Sequence, residues 1–326
     1  MPSFSRRHLL CSVPPAALAS TSAAFAQAYP SRPIRFIVPF AAGAGVLDIM
    51  ARLVGQHLGQ NVGQQVMIDN RPGAGGNVGA EVAAKAAPDG YTMLMGAVAV
   101  VVSPYLYATL PFDALSDLVP VTQVNSAPLM LIVHPSLPVN SVAELIAYAK
   151  ARPGQLNYGS GGVGSTPFLA TELFKSMAGI NVVHVPYRGG APALADLVAG
   201  QLSFMIENVP GTLPFVKDGK LRALAITSRQ RLALVPELPT MEEAGVKGYE
   251  MIGWNGIFVP RATPPEIVTR LSTELVKVLR SPEVREQMAK LGAVPVGTTP
   301  AEFAAFVTAE SQRWGKIIKD LGIKPE

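Results

Sequence analysis

The sequence predicts an α/β fold, and three observations carry that prediction. Short apolar runs of four or five residues alternate with segments of helical period. Gly-rich turns join several of these runs to the helix that follows. The same grammar then begins a second time in the middle of the chain, which points to two α/β units with mainly parallel sheets. The length of 326 residues holds about two domains of ordinary size.

Taken in order, Ile34–Val38 reads as a strand, 41–45 as a Gly-rich turn, and the next segment as a helix. In that helix Met50, Leu53, Val54, His57 and Leu58 fall on one stripe. A strand at 66–69, a turn at 73–76 and a helix opening at Asn77 follow, with the Asn77 side chain expected to cap a free N–H. Residues 91–95 read as a third buried strand. In the second unit, Ser141 and Glu144 form a capping box that opens a helix. A strand at 156–158 leads through the turn 159–164 to Ser165-Thr166-Pro167, a helix start with proline in the first turn. Strands at 182–186, 203–206 and 221–226 are expected, with a short helix at 193–198 that ends near Gly200. The tail is helical. Thr263 with Glu266 and Thr299 with Glu302 read as capping boxes, and Ile267, Leu271, Leu275 and Leu279 as a buried stripe.

Residues 1–28 read as an export signal rather than as fold. Arg6 and Arg7 precede a short apolar stretch, and two A-x-A sites end at Ala26 and Ala28. Pro14-Pro15 and the short apolar stretch argue against a membrane span, which needs ~20 apolar residues. The arginine pair is compatible with a twin-arginine route. The expected location is a bacterial periplasm. Removing this segment takes away Cys11, the only cysteine, and lowers the formal charge from +4 to +2. A disulfide framework, a Cys-rich metal site and a nucleic-acid surface are all disfavoured on those grounds.

No catalytic pattern emerges. His57, His134 and His184 are dispersed and read as structural, and no H-E-x-x-H, G-x-S-x-G or P-loop motif is present. Gly159-Ser160-Gly161-Gly162-Val163-Gly164 matches G-x-G-x-x-G, but the next strand ends without the acid that a dinucleotide ribose needs. No cofactor or metal is expected. The turns 41–45, 73–76 and 159–165 place backbone donors before helices. Together they favour a cleft that grips a small anion through main-chain N–H groups.

At these turns the chain resembles the substrate-binding receptors of tripartite tricarboxylate transporters, also called Bug receptors. The resemblance rests on Pro39-Phe40-Ala41-Ala42-Gly43 with Asp48, and on Asn70-Arg71-Pro72-Gly73-Ala74-Gly75-Gly76. Pro88-Asp89-Gly90-Tyr91-Thr92, Val185-Pro186-Tyr187-Arg188-Gly189, Lys220-Leu221-Arg222-Ala223-Leu224-Ala225 and Trp254 with Gly256 continue it in consistent order from about residue 29 to the C-terminus.

The resemblance implies a type II periplasmic binding-protein fold, with two α/β lobes around a cleft and two crossings. Lobe 1 would comprise residues 29–130 with 236–326, and lobe 2 residues 131–235. It implies a monomeric, non-enzymatic receptor that captures a di- or tricarboxylate, an aromatic acid or an amino acid. The ligand would pass to one large and one small integral membrane subunit. Presentation to a membrane sensor, or a periplasmic enzyme acting on a carboxylate, are the alternative roles. The family's binding positions map onto Phe40, Ala41, Ala42, Gly43 and Ala44, and onto Asp48 at the helix start. They map further onto Gly96 and Ala97, onto Ser160, Gly161, Gly164, Ser165 and Thr166, onto Tyr187, Arg188 and Gly189, and onto Glu207 and Asn208.

Two departures bear on the ligand. The first loop, Gly43-Ala44-Gly45-Val46-Leu47-Asp48, is one residue longer than usual and more apolar. After the third strand, Gly96-Ala97-Val98-Ala99-Val100 stands where small hydroxyl residues are common in the family. Both remove hydroxyl donors, so a carboxylate with an apolar or aromatic body is expected over a densely hydroxylated acid such as citrate.

Overall fold

Each Gly-rich turn joins a strand to a helix, as its spacing requires. The computed structural model describes residues 29–43 and 46–323, so the export segment and Ala44 lie outside the described residues. β1 (Ile34–Val38) leads to α1 (Val46–Val62), whose Met50, Val54 and Leu58 are fully buried. β2 (Val66–Asn70), α2 (Asn77–Ala84), β3 (Thr92–Gly96) and α3 (Ala99–Leu106) complete the first run. β1 pairs in parallel with β2 on one side and β3 on the other.

β4 (Leu118–Val133) is a 16-residue strand that the local sequence pattern does not announce. The second run follows as α4 (Val142–Lys150), β5 (Asn157–Ser160), α5 (Thr166–Ala178), β6 (Val183–Pro186), α6 (Gly190–Val198), β7 (Phe204–Asn208), α7 (Val209–Lys217) and β8 (Arg222–Ile226). The chain then returns through β9 (Ile252–Pro260), α8 (Pro265–Arg280), α9 (Pro282–Lys290), β10 (Val294–Pro295) and α10 (Pro300–Leu321).

The strand order is β2-β1-β3-β9-β4-β7-β5-β6, with β8 and β10 also pairing with β4. β4 joins the two halves. Its Leu118–Pro128 portion pairs with β9, and from Leu129 it pairs with β7, with β8 joining from Met130. The result is two α/β lobes that share one long strand. Helices cover both faces of each sheet: α1, α8 and α9 pack on one side of the first, and α2, α3 and α10 on the other. In the second lobe α4 and α5 oppose α6 and α7.

Local capping follows the sequence in part. Ser165 accepts from Phe168 N–H and caps α5, an arrangement worth about 1 kcal/mol. Thr299 and Glu302 form the complete reciprocal box at α10. At α4, Ser141 caps Glu144 N–H, while the Glu144 carboxylate reaches one residue further to Asn140 N–H. Two expectations fail. Pro264, not Thr263, stands at the N-cap position of α8, with no side-chain capping bond, and the Thr263 hydroxyl donates backward to Pro260 O. Asn77 lies inside α2 and does not cap it; its Oδ1 accepts from the Ser103 hydroxyl at 2.6 Å. Helix α6 also begins earlier than the expected residue 193, at Gly190.

Candidate functional site

The carboxyl ends of β1, β3, β5 and β7 converge on one cavity between the lobes, joined there by the middle of β4 and the start of β9. Its empty space, with the open solvent at its mouth included, is about 680 Å³. Helices α1, α3, α5 and α6 begin at its wall, with Val46, Ala99, Thr166 and Gly190 as their first residues. The first-turn N–H groups of a helix have no intrahelical acceptor, and the dipole there favours negative charge. Phe40, Val46, Leu47, Ala97, Ala99, Ala127 and Pro167 form the apolar part of the wall, and Asp48, Asn125, Ser165, Thr166, Glu207, Asn208 and Asn255 its polar part. Lys, Arg and His are absent among the described lining residues.

Half of the positions expected from sequence line this cavity. Phe40, Ala41 and Asp48 come from the first loop and α1, and Ala97 from the turn after β3. Gly161, Ser165 and Thr166 come from the loop before α5, and Glu207 and Asn208 from the end of β7. Of the others, Ala44 lies outside the described residues and the rest sit elsewhere. Ala42 and Gly43 are exposed, and Gly43 N–H donates to Asp48 Oδ2 at 3.2 Å. Gly96 is buried under the Phe258 ring, and Gly164 packs against Leu106 and Val102. Tyr187 and Arg188 line a second, wider opening with Gly75, Tyr107 and Val163. Tyr187 donates its hydroxyl to Asp196. Arg188 contributes its carbonyl, which accepts from Ala41 N–H at 3.4 Å and ties the first loop to the opposite lobe. Gly189 lies against Ala41 in the same contact.

Lining residues that local motifs did not reveal come from β4 and β9: Asn125, Ala127, Gly253 and Asn255. Asn125 Oδ1 is buried without a hydrogen-bond partner among the described residues. Its place in the polar stretch Thr122–Ser126, between the apolar ends of β4, was the one signal available for it.

Asp48 organises the first loop. Its carboxylate accepts from Arg52 Nε at 2.8 Å, Arg52 Nη2 at 3.1 Å and Asn70 Nδ2 at 2.9 Å, while Asn70 Nδ2 also donates to Phe40 O. Burial pushes the Asp48 carboxyl up, but the bonds from Arg52, Asn70 and Gly43 outweigh it and hold the group below its ordinary 3.8. An acid depressed in the folded state lends stability that is full above the unfolded value and lost as pH falls through the folded one. Asp48→Asn is therefore expected to lower stability by about 1–3 kcal/mol at neutral pH. Its loss of stability below the unfolded value near 3.8 should be shallower than the wild type's. Urea denaturation over a pH series checks both.

Ser160 Oγ and His184 Nε2 are 2.7 Å apart and superficially resemble a nucleophile with its base. Ser160 is fully buried and lines neither opening, and Gly162 N–H donates to its hydroxyl at 3.1 Å. Burial pushes the His184 imidazole down to about 4, and its ring stacks on Tyr158 at 4.8 Å. The pair ties β5 to β6 as a neutral hydrogen bond. His57 lies 4.0 Å from Glu283 and His134 bonds Ser136, so neither enters the cavity.

Two lobes sharing a long strand, with strand ends and helix N-termini facing a common cavity, define a two-lobed solute-binding protein. Comparisons narrow that class. BugT of Bordetella pertussis is 40% identical over 301 residues, covering 92% of this chain and 92% of its own. The structure of R. palustris Rpa4515 with adipate superposes with a TM-score of 0.88 at 41% identity, covering 91% of this chain and all of that one. The periplasmic binding protein BugD gives 0.88 at 32% identity, with coverage of 91% and 100%. The model of the tripartite tricarboxylate transporter family receptor matches residues 50–323, and the chain belongs to that family. The family and fold that the first-loop motifs implied are the ones found.

Proposed function

We propose that this chain is a receptor that closes on a small carboxylate with an apolar body and hands it to the integral subunits of a tripartite transporter. The single observation that carries the reading is a cavity whose lining is more apolar than polar, with four helix N-termini and no cationic side chain among its described residues. Such a site holds an anion by main-chain donors. Each hydrogen bond to a charged group is worth about 1.5–3 kcal/mol. Three or four of them approach the roughly −8 kcal/mol of a micromolar ligand before the cost of association. Adipate, bound in the R. palustris relative, has the expected character of two carboxylates on a bare methylene chain.

The nine expected residues that line the cavity are the proposed contacts, with Asn125 and Asn255 added. The proposed lobes are residues 29–130 with 236–326, and 131–235. The change of β4's partners between Pro128 and Leu129 supports the first boundary. Export by residues 1–28, a monomeric state, docking on one large and one small membrane subunit, and the lack of any reaction on the ligand belong to the same reading.

A thermal-shift panel of aliphatic, aromatic and hydroxylated acids tests it. A ligand at 100 times its Kd stabilises by about 2.7 kcal/mol, a shift of several degrees in Tm. Adipate and other acids with apolar bodies are expected to give the largest shifts. A larger shift with citrate than with any of them refutes the apolar-body reading, and no shift with any carboxylate refutes the receptor reading.

A further inference from the structure

The ionisable side chains among the described residues of the cavity are Asp48 and Glu207, both acids. Asp48 is saturated by Arg52, Asn70 and Gly43. Glu207 is not. It is 5% exposed, and its Oε1 takes both donors of Asn208, the backbone N–H at 2.7 Å and the side-chain Nδ2. Its Oε2 is buried in the cavity wall with no hydrogen-bond partner among the described residues. Gly190 at the start of α6 makes room for it, because a Cβ there would stand 2.6 Å from Oε2.

We propose that Glu207 meets the ligand as a neutral carboxyl, its Oε2–H donating to a carboxylate oxygen of the ligand, so that capture takes up one proton. This rests on the carboxylate reading above. A carboxylate brought beside an ionised Glu207, with no cation in the wall, sets two like charges in a cavity from which water is being excluded. Two carboxyls sharing such a site keep one proton between them. Burial already pushes the Glu207 carboxyl up, against the opposing bonds from Asn208.

Among the described residues of the surrounding elements no side chain neutralises it, and the positive field beside Oε2 is that of the α6 N-terminus at Gly190. From β4, Met130 lies opposite. In α5, Glu172 and Lys175 pair with each other, and in α6 Asp196 accepts from Tyr187. His184 of β6 bonds Ser160, Asp48 of α1 is paired with Arg52, and Arg188 before α6 is exposed. The only basic residue of α7, Lys217, lies in its last turn, away from the Glu207 end. Above the free-state pKa of Glu207 the proton comes from solvent as the lobes close, forms the Oε2–H bond, and returns to solvent on release; below it the carboxyl already carries that proton.

The affinity is then flat below the free-state pKa of Glu207 and falls about tenfold per pH unit above it. The test uses titration calorimetry on the exported-length chain, with adipate or whichever acid gives the largest thermal shift in the panel. Binding is measured from about pH 5 to 8.5, in buffers of different ionisation enthalpy, for wild type, Glu207→Gln and Glu207→Ala. Wild type is expected to show the fall and close to one proton taken up on its slope. Glu207→Gln presents an N–H donor without a titrating proton, so it should bind within about threefold of the wild-type low-pH value at every pH. Glu207→Ala should lose at least about tenfold at low pH. A flat wild-type profile with no proton uptake overturns the proposal. So does loss of binding in Glu207→Gln together with wild-type affinity that strengthens as pH rises, because that pattern assigns an ionised Glu207 to a ligand ammonium. Thermal melts of the ligand-free variants separate either result from misfolding. If no carboxylate binds at any pH, the receptor reading itself fails.

Discussion

Replacing Gly75 with alanine is expected to cost about tenfold or more in ligand affinity while leaving the ligand-free protein folded. Gly75 sits in the turn between β2 and α2, and a Cβ built on it would stand 1.8 Å from the carbonyl oxygen of Val163. Val163 belongs to the loop before α5, on the other side of the cleft, and its carbonyl also accepts from the Tyr107 hydroxyl at 3.0 Å. The contact is backbone against backbone, so no rotamer relieves it, and the lobes must stand apart to admit the methyl. A forced fit of this kind costs roughly 1–3 kcal/mol, which the ligand must supply on closing. Gly75 also has φ of +61°, where an L-residue is strained by roughly 1–2 kcal/mol in the open and closed states alike. Gly63→Ala controls for that term, because Gly63 has φ of +69° and nothing within 4 Å of its built Cβ. Calorimetry should show weakened binding in Gly75→Ala alone. X-ray scattering with ligand should show a larger radius of gyration for Gly75→Ala than for wild type. Equal affinity in the two variants would mean that the closed contact seen here is not the ligand-bound one.

Legibility from sequence followed the range of the forces involved. β1, α1, β2 and β3 are set by periodicity and turns within a dozen residues, and each forms where its own pattern places it. β4 is different. Its run Leu118–Val133 contains Pro120 and Pro128 and no clean alternation, because its two ends are buried in different sheets by different partners. Only the family resemblance hinted that the chain crosses there. The cavity divides the same way. Phe40, Thr166 and Glu207 stand at strand ends or helix starts and came from the positions that the family resemblance implies, whereas Asn125 and Asn255 reach the cavity because β4 and β9 pair with each other. The capping errors have a common cause in competition by other hydrogen-bond partners: the Thr263 hydroxyl donates to the Pro260 carbonyl and Asn77 Oδ1 accepts from the Ser103 hydroxyl, neither visible to an isolated four-residue pattern. Of the residues after β3 that stand in place of hydroxyl donors, Ala97 and Ala99 line the cavity, and Gly96, Val98 and Val100 do not.

Glu310→Ala is expected to lower Tm by roughly ten degrees. Glu310, on the buried face of α10, accepts from the indole N–H of Trp254 at 3.0 Å and of Trp314 at 3.2 Å through one oxygen. Its other oxygen accepts from Arg313 Nη1 at 3.1 Å. Trp254 and Trp314 are 3% and 1% exposed, so neither N–H can turn to solvent when the carboxylate is removed. Each buried donor left unpaired costs about 1–3 kcal/mol, and the truncated side chain adds a cavity. Glu310→Gln keeps an oxygen for the indoles and gives up only the charge-assisted part and the Arg313 pairing, so about 1–2 kcal/mol is expected. The two variants separate hydrogen-bond satisfaction from charge. The effect should reach the ligand as well. Trp254 is held edge-on against Phe303 and Phe306, and its neighbours Gly253 and Asn255 line the cavity beside it. Freed from Glu310, the indole no longer fixes that part of the wall, so affinity should fall in Glu310→Ala even where the protein remains folded. Calorimetric melts and ligand titrations of both variants check this. A Glu310→Ala melt within about 2 °C of wild type would show that the indoles are satisfied without the carboxylate, and that α10 does not hold the cavity floor through Glu310.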